Sequence, residues 1–117
     1  MQMNQVDAEH IRAVRHYENL YAASDDGRIF ECKSGAEVTQ HMALNGTMYV
    51  QLAKNGTIRN KKVAYIVAQA FVENPDKLNL KAVRHKDGNK QNNEASNLFW
   101  TRRTRRKDND SAPVRNR

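Results

Sequence analysis

The chain carries one cysteine, Cys32. That excludes an internal disulfide framework and any zinc site built from the cysteines of one chain, and it makes a reducing cytoplasm the expected location. No apolar run reaches membrane-spanning length, so no membrane partner is expected. The opening ten residues lack a basic stretch followed by an apolar one, which argues against a secretory signal. Acidic residues are in short supply as well. Against 20 Lys and Arg there are 13 Asp and Glu, a formal net charge of +7 and a pI of about 9.8. A balance of that sign favours polyanionic partners, double-stranded DNA first and an acidic protein second. A length of 117 residues with 38% hydrophobic content suits one domain, or two very small units sharing a core.

The positive charge is concentrated near the end. Arg102, Arg103, Arg105, Arg106, Lys107, Arg115 and Arg117 stand against Asp108 and Asp110, which is +5 of the chain's +7. Beyond Asp110 this reads as a solvated basic tail. Between Arg102 and Lys107 it reads as a nucleic-acid contact, because guanidinium forks match phosphate oxygens and guanine edges.

Periodicity and turn chemistry outline the elements. Asp7 is placed to cap a short lead-in helix over residues 8–15, with Ile11 and Val14 facing inward. Two apolar-aromatic runs flank Ser24-Asp25-Asp26-Gly27, a hairpin signal. Asn45-Gly46 and Asn55-Gly56 separate alternating runs, which predicts an antiparallel meander over 38–43, 47–53 and 57–62. Lys54, Arg59, Lys61 and Lys62 give that meander a basic edge, either a solubilising edge or a DNA contact. Val63, Ile66, Val67, Ala70 and Phe71 recur at helical spacing, and Asn74-Pro75 ends the helix. Strands over 78–85 and 97–101 and a helix from Arg102 to about Asn109 complete the expectation.

The segment from His85 to Trp100 is too polar to lie in a core. It must be a surface loop with ordered ends. Hydrolysis of a phosphodiester needs an activated water, stabilisation of the extra negative charge and a cation at the leaving oxygen. His85 at a strand end is the candidate general base, since an imidazole titrates near neutral pH. Asn97 is the candidate group to hold that ring in one tautomer. His10, His16 and His41 form no metal spacing with it. The bland alternatives are a structural His85 beneath the loop, Asn92, Asn93 and Asn97 as loop pins, and Phe99 and Trp100 as packing groups.

The residues His85, Asp87, Gly88, Asn89, Asn92, Asn93, Asn97, Leu98 and Trp100 resemble the core motif of the HNH (ββα-metal) nucleases, in the form found in phage homing endonucleases. Tyr17, Glu18, Leu20, Tyr21, Ser24, Gly27, Arg28 and Ile29 resemble a module at the N-terminal side of many phage HNH proteins. The helix resembles the family stretch V-H-R-L-V-A-x-A-F, with Ala64 and Tyr65 at its His and Arg positions. Together the resemblance covers residues 17–109.

It implies an α+β fold, with an N-terminal antiparallel sheet and helix followed by an HNH-like ββα motif. The corresponding division is a lead-in over 1–16, a sheet module with helix over 17–76, the ββα motif over 77–110 and a basic tail over 111–117. It also implies DNA contacts by the N-terminal module, which makes Arg28, Lys61 and Lys62 candidates beside Arg84, Arg102, Arg103, Arg105, Arg106 and Lys107. The family's divalent metal, Mg²⁺ in an active member, is bound by the residue before the histidine and by one on the following helix. Those positions fall on Arg84 and Arg106, and arginine has no lone pair to offer a cation. Asp87, Glu94 and Asp108 are the nearby carboxylates, although Asp87 matches a structural loop position. The metal ligands are therefore unassigned. Two readings stand: a DNA-nicking or DNA-cleaving enzyme of phage type using Mg²⁺, or a degenerate member without a cofactor that binds DNA or blocks an acidic host protein.

Overall fold

Alternating side chains joined by Gly-containing turns generate most of the backbone. The computed structural model describes residues 10–103. Within them, short antiparallel strands form three small sheets around a central helix, an α+β arrangement. The first sheet holds β1 (Ile11–Ala13), β2 (Tyr21–Ser24) and β3 (Ile29–Glu31). The second holds β4 (His41–Met42), β5 (Met48–Lys54) and β6 (Thr57–Lys62). Helix α1 spans Val63–Phe71. A two-stranded ribbon of β7 (Ala82–His85) and β8 (Leu98–Thr101) follows, with a 3₁₀ turn at Ala95–Asn97 before β8.

The two hairpins appear where their turns were expected. β2 pairs with β3 in the register Ala22↔Phe30. β5 and β6 close through Asn55-Gly56, both at positive φ (53° and 80°), which matches the twist of a tight two-residue turn. The start of the chain is different. In place of a helix through residue 15, Ile11–Ala13 is a strand paired with β2, Ile11 opposite Ser24. Two apolar residues three apart are a thin helical signal, and so short a helix is marginal without tertiary support. Positive φ at His16 and Asn19 then turns the chain instead. Asp7 lies outside the described residues. The strand expected from Leu78 begins only at Ala82. Asp76 accepts backbone N–H bonds from Asn79 and Leu80, so the preceding residues form a turn and Leu78 is left exposed. Arg102 and Arg103 have no regular structure. The remainder of the helix expected there lies outside the described residues.

α1 is the common wall. It packs on strands of all three sheets and buries Val63, Ala64, Ile66, Val67 and Ala68. The buried cluster adds Val14, Tyr17, Ala23, Ile29, Val50, Leu52 and Leu98, so one core serves every sheet. The β7–β8 ribbon is fastened from its inner face. Leu98 is fully buried, and Trp100 donates its indole N–H to the Val72 carbonyl (2.9 Å) and meets Tyr65 edge-on at 5.4 Å. At the C-terminal end of the helix, Arg12 also donates to the Ala70 carbonyl (2.9 Å) and lies over the Phe71 ring. That cation sits on the C-terminal carbonyls, where the helix dipole favours it.

Leu98→Ala should cost about 2–5 kcal/mol, because the emptied volume lies between the ribbon and α1 and cannot collapse fully. Thermal unfolding reads this directly. An unchanged melting temperature would show that the ribbon is not anchored through Leu98.

Candidate active site

The loop between β7 and β8 contains almost no apolar side chain, so polar contacts must give it its shape. The carboxylate of Asp87 accepts from the backbone N–H of Asn89 (2.8 Å) and from the side-chain amides of Asn92 (3.0 Å) and Asn97 (3.0 Å). These donors, Asn92 foremost, hold its pKa down from the ordinary 3.8 to about 2. Asn97 closes the loop from the other side. It is buried, donates to the Asn92 carbonyl (2.8 Å) and accepts from the Asp87 N–H (3.2 Å). Gly88, at φ +77°, makes the tight reversal that begins the loop.

His85 ends β7 and is half-buried. Its Nε2 is 2.6 Å from the side-chain oxygen of Asn93, which is itself buried. The group that holds the imidazole is therefore Asn93, where Asn97 was expected. Asn97 instead pins Asp87 and the loop. The sequence places three asparagines within reach of the ring, and only the path of the loop selects one. Strand alternation sets Arg84 opposite exposed Phe99 and His85 opposite buried Leu98, so the two leave the ribbon on different faces.

The loop is docked at two further places. The Ala95 N–H donates to the Asp25 carbonyl (2.8 Å), and Gly27 lies directly against the backbone of Asn93. Lys90 donates to the Asn45 carbonyl (3.1 Å), which ties the loop tip to the β4–β5 turn. Sequence reasoning missed these partners, Asp25 and Gly27 above all. The Asp-Gly step announced a turn but nothing about what rests on it.

The candidate cations fall into separate groups. Arg84, Arg102 and Arg103 belong to the β7–β8 ribbon and its continuation, and all three are exposed. Arg105, Arg106 and Lys107 lie outside the described residues. Arg28 is engaged internally: it pairs with Asp26 at 3.1 Å, approaches Glu37 at 3.9 Å and lies over Phe30. Its hydrogen bond to Asp26 raises its pKa further. Lys61 and Lys54 flank the Tyr17 ring (5.9 and 5.5 Å) and, with His16, Thr57 and Arg59, line an open cleft of about 330 Å³. Lys62 is exposed at the start of α1. Lys54, Arg59 and Lys61 of the expected basic edge thus share one cleft, and His16, given no role from the sequence, lines it with them.

The donor set fits a divalent ion poorly. Among the described residues no three His, Cys, Asp or Glu side chains cluster as a metal site. Arg84 offers no lone pair, and the Asp87 oxygens already accept three N–H groups.

Two outcomes follow from the loop. Gly88→Ala meets no atom within 4 Å of the new Cβ, so its penalty is backbone conformation alone, about 1–2 kcal/mol; chemical denaturation measures it. The Asp87 contribution has a pH signature. Its folded-state pKa lies below the unfolded value, so the stabilisation is complete above about pH 4 and is lost as the pH falls through about 2. Amide exchange at Asn89 and Asp87 should accelerate in that window in the wild type, and be fast at every pH in Asp87→Ala.

No protein-family model matches the chain. It is 42% identical over 81 residues to a protein of Acanthamoeba polyphaga mimivirus described as an uncharacterized HNH endonuclease, L245, covering 69% of this chain and 24% of that one. It is 33% identical over 87 residues to DNA endonuclease I-HmuI of Bacillus phage SP01, covering 74% of this chain and 49% of the endonuclease. A solved structure that describes DNA binding and cleavage by the HNH homing endonuclease I-HmuI is similar with a TM-score of 0.72 at 32% identity, over 79% of this chain and 52% of that chain. The chain thus spans about half of I-HmuI and about a quarter of the mimivirus protein. The same residues carry the motif in sequence and the ββ ribbon with its braced loop in space, and the chain belongs to the phage-type HNH homing-endonuclease-like family.

Proposed function

We propose that this chain binds duplex DNA and that His85 is the residue that acts on the phosphodiester backbone. The observation that carries the reading is the His85–Asn93 pair: a half-buried imidazole held at 2.6 Å at the mouth of a ribbon edged by arginines. In that reading the imidazole accepts the proton of a water as its oxygen attacks phosphorus, and the bond to the leaving oxygen breaks. Exposed Arg84, Arg102 and Arg103 attract the phosphates and offset charge on the non-bridging oxygens. The cleft lined by Lys54, Arg59 and Lys61 offers a second phosphate contact on the sheet module.

HNH endonucleases use a divalent metal ion. Mg²⁺ is the ion to test here, but no step is assigned to it, because the described donors do not fit one. Arg84 favours a second reading in which the fold and its basic surface are retained for binding alone, to DNA or to an acidic host protein.

Supercoiled plasmid with Mg²⁺ or Mn²⁺ separates the two readings. Nicks made by the wild type and lost in His85→Ala support the enzyme. DNA binding without nicks supports the degenerate member. Binding itself should be steeply salt-dependent: neutralising about four phosphates lowers affinity roughly a hundredfold between about 50 and 200 mM salt. A flat salt response would sink the DNA reading. Calorimetry with Mn²⁺ tests the arginines: weak or no binding by the wild type and a gain in Arg84→Asp with Arg106→Asn. Strong stoichiometric binding by the wild type would show that the metal site is intact.

A further inference from the structure

The Asp25–Gly27 turn belongs to the first sheet, yet it touches the loop that holds His85. Gly27 has φ +94°, and a Cβ added to it would stand 3.0 Å from the Asn93 carbonyl oxygen, 3.1 Å from its carbon and 3.3 Å from its Cβ. Those separations are tighter than most side-chain carbons adopt, and the positive φ adds backbone strain, so glycine is the residue that lets the two backbones meet here without a shift. Two residues earlier the Asp25 carbonyl accepts from Ala95 (2.8 Å), so the same turn holds the loop at Asn93 and again two residues beyond it. The turn is itself rigidly tied. The Asp25 N–H donates to the His10 carbonyl (2.9 Å), and the Gly27 carbonyl accepts from the Gln40 side chain (2.9 Å). The buried Ser24 hydroxyl accepts from the Arg28 N–H (3.1 Å) and donates to Asp26.

We infer that Asn93, set in place by the Asp25–Gly27 turn, is a positioning residue that holds the His85 imidazole in one tautomer. The Asn93 side-chain oxygen Oδ1 accepts Nε2–H at 2.6 Å, and Nδ1 is then the lone-pair nitrogen. A neutral imidazole without a partner populates both tautomers, so part of its population would present the wrong nitrogen to a given proton donor; one buried acceptor removes that ambiguity. Asn93 does not touch a substrate. It acts through His85, and the first sheet acts through Asn93. The inference deepens the reading of His85 as a proton acceptor and rests on it only for its catalytic consequence.

The test is imidazole ¹⁵N NMR on the full chain at a pH where His85 is neutral, with the His85 signals identified by their loss in His85→Ala. The wild type should show the Nε2–H tautomer alone. Asn93→Ala should show both, and Asn93→Asp, which keeps an acceptor, should restore Nε2–H. Gly27→Ala should move the spectrum toward that of Asn93→Ala without altering any group that touches the ring. Should Gly27→Ala fail to fold, the Asn93 variants still decide. A wild-type Nδ1–H tautomer, or a spectrum unchanged in Asn93→Ala, overturns the inference. Plasmid nicking is scored in parallel, with about a 10- to 100-fold loss expected in Asn93→Ala and recovery in Asn93→Asp. If the tautomer responds as stated but no variant nicks, the positioning role stands and the nuclease reading falls. If the wild type nicks and the tautomer ignores Asn93, the reverse holds.

Discussion

The carboxylate of Asp87 is the fixed point of the β7–β8 connection. A surface loop of Asn, Lys, Gln and Gly has no apolar area to bury, so its order cannot come from the hydrophobic effect. One ionised carboxylate accepting three N–H groups supplies what packing does not, and it draws Asn89, Asn92 and Asn97 around a common centre. Once Asn97 is drawn in, it fixes where β8 begins, and Leu98 and Trp100 reach the core in register with His85 and Val83. The loop and the ribbon are therefore one unit. Loss of the carboxylate unties the loop first and the strand pairing after it.

That unit is fastened to the rest through α1. The helix is short and apolar and has no side-chain cap, so it owes its stability to the three sheets around it. In return it holds them in a fixed arrangement. The consequence for the site is direct: the turn of the first sheet arrives under Asn93 because both sheet and ribbon rest on the same helix. His85 is thus positioned by residues from both halves of the sequence.

The electrostatics divide in two. The ribbon and its continuation carry the exposed Arg84, Arg102 and Arg103, while the sheet module carries a lysine- and arginine-lined cleft. Both present positive charge, and neither favours a divalent cation. Arg28 shows that a basic residue in a family motif need not face a ligand. Its guanidinium is held by Asp26 and Glu37 and braces the hairpin turn.

Much of this was legible in the sequence. Asn-Gly and Asp-Gly steps located the hairpins because glycine and asparagine relieve a steric constraint that is local to the turn. The spacing from Val63 to Phe71 located the helix because its period is set by the backbone. The polar run after His85 declared a loop, and the motif within it declared the family. The errors share a cause. The strand at Ile11–Ala13 and the late start of β7 depend on what lies beside them, and a few residues of local pattern cannot state that. The role given to Asn97 belongs to Asn93, since asparagines four apart differ only in where the loop carries them. Gly27 was read as a turn residue, and its contact with Asn93 is invisible without the third dimension. Sequence alone determined most of the elements, the charge and the motif that marks the family, because these follow from side-chain chemistry and short-range sterics. Tertiary structure alone decided which asparagine holds that histidine and what holds the asparagine, because those contacts join residues far apart in the chain and exist only once α1 has brought the sheets together.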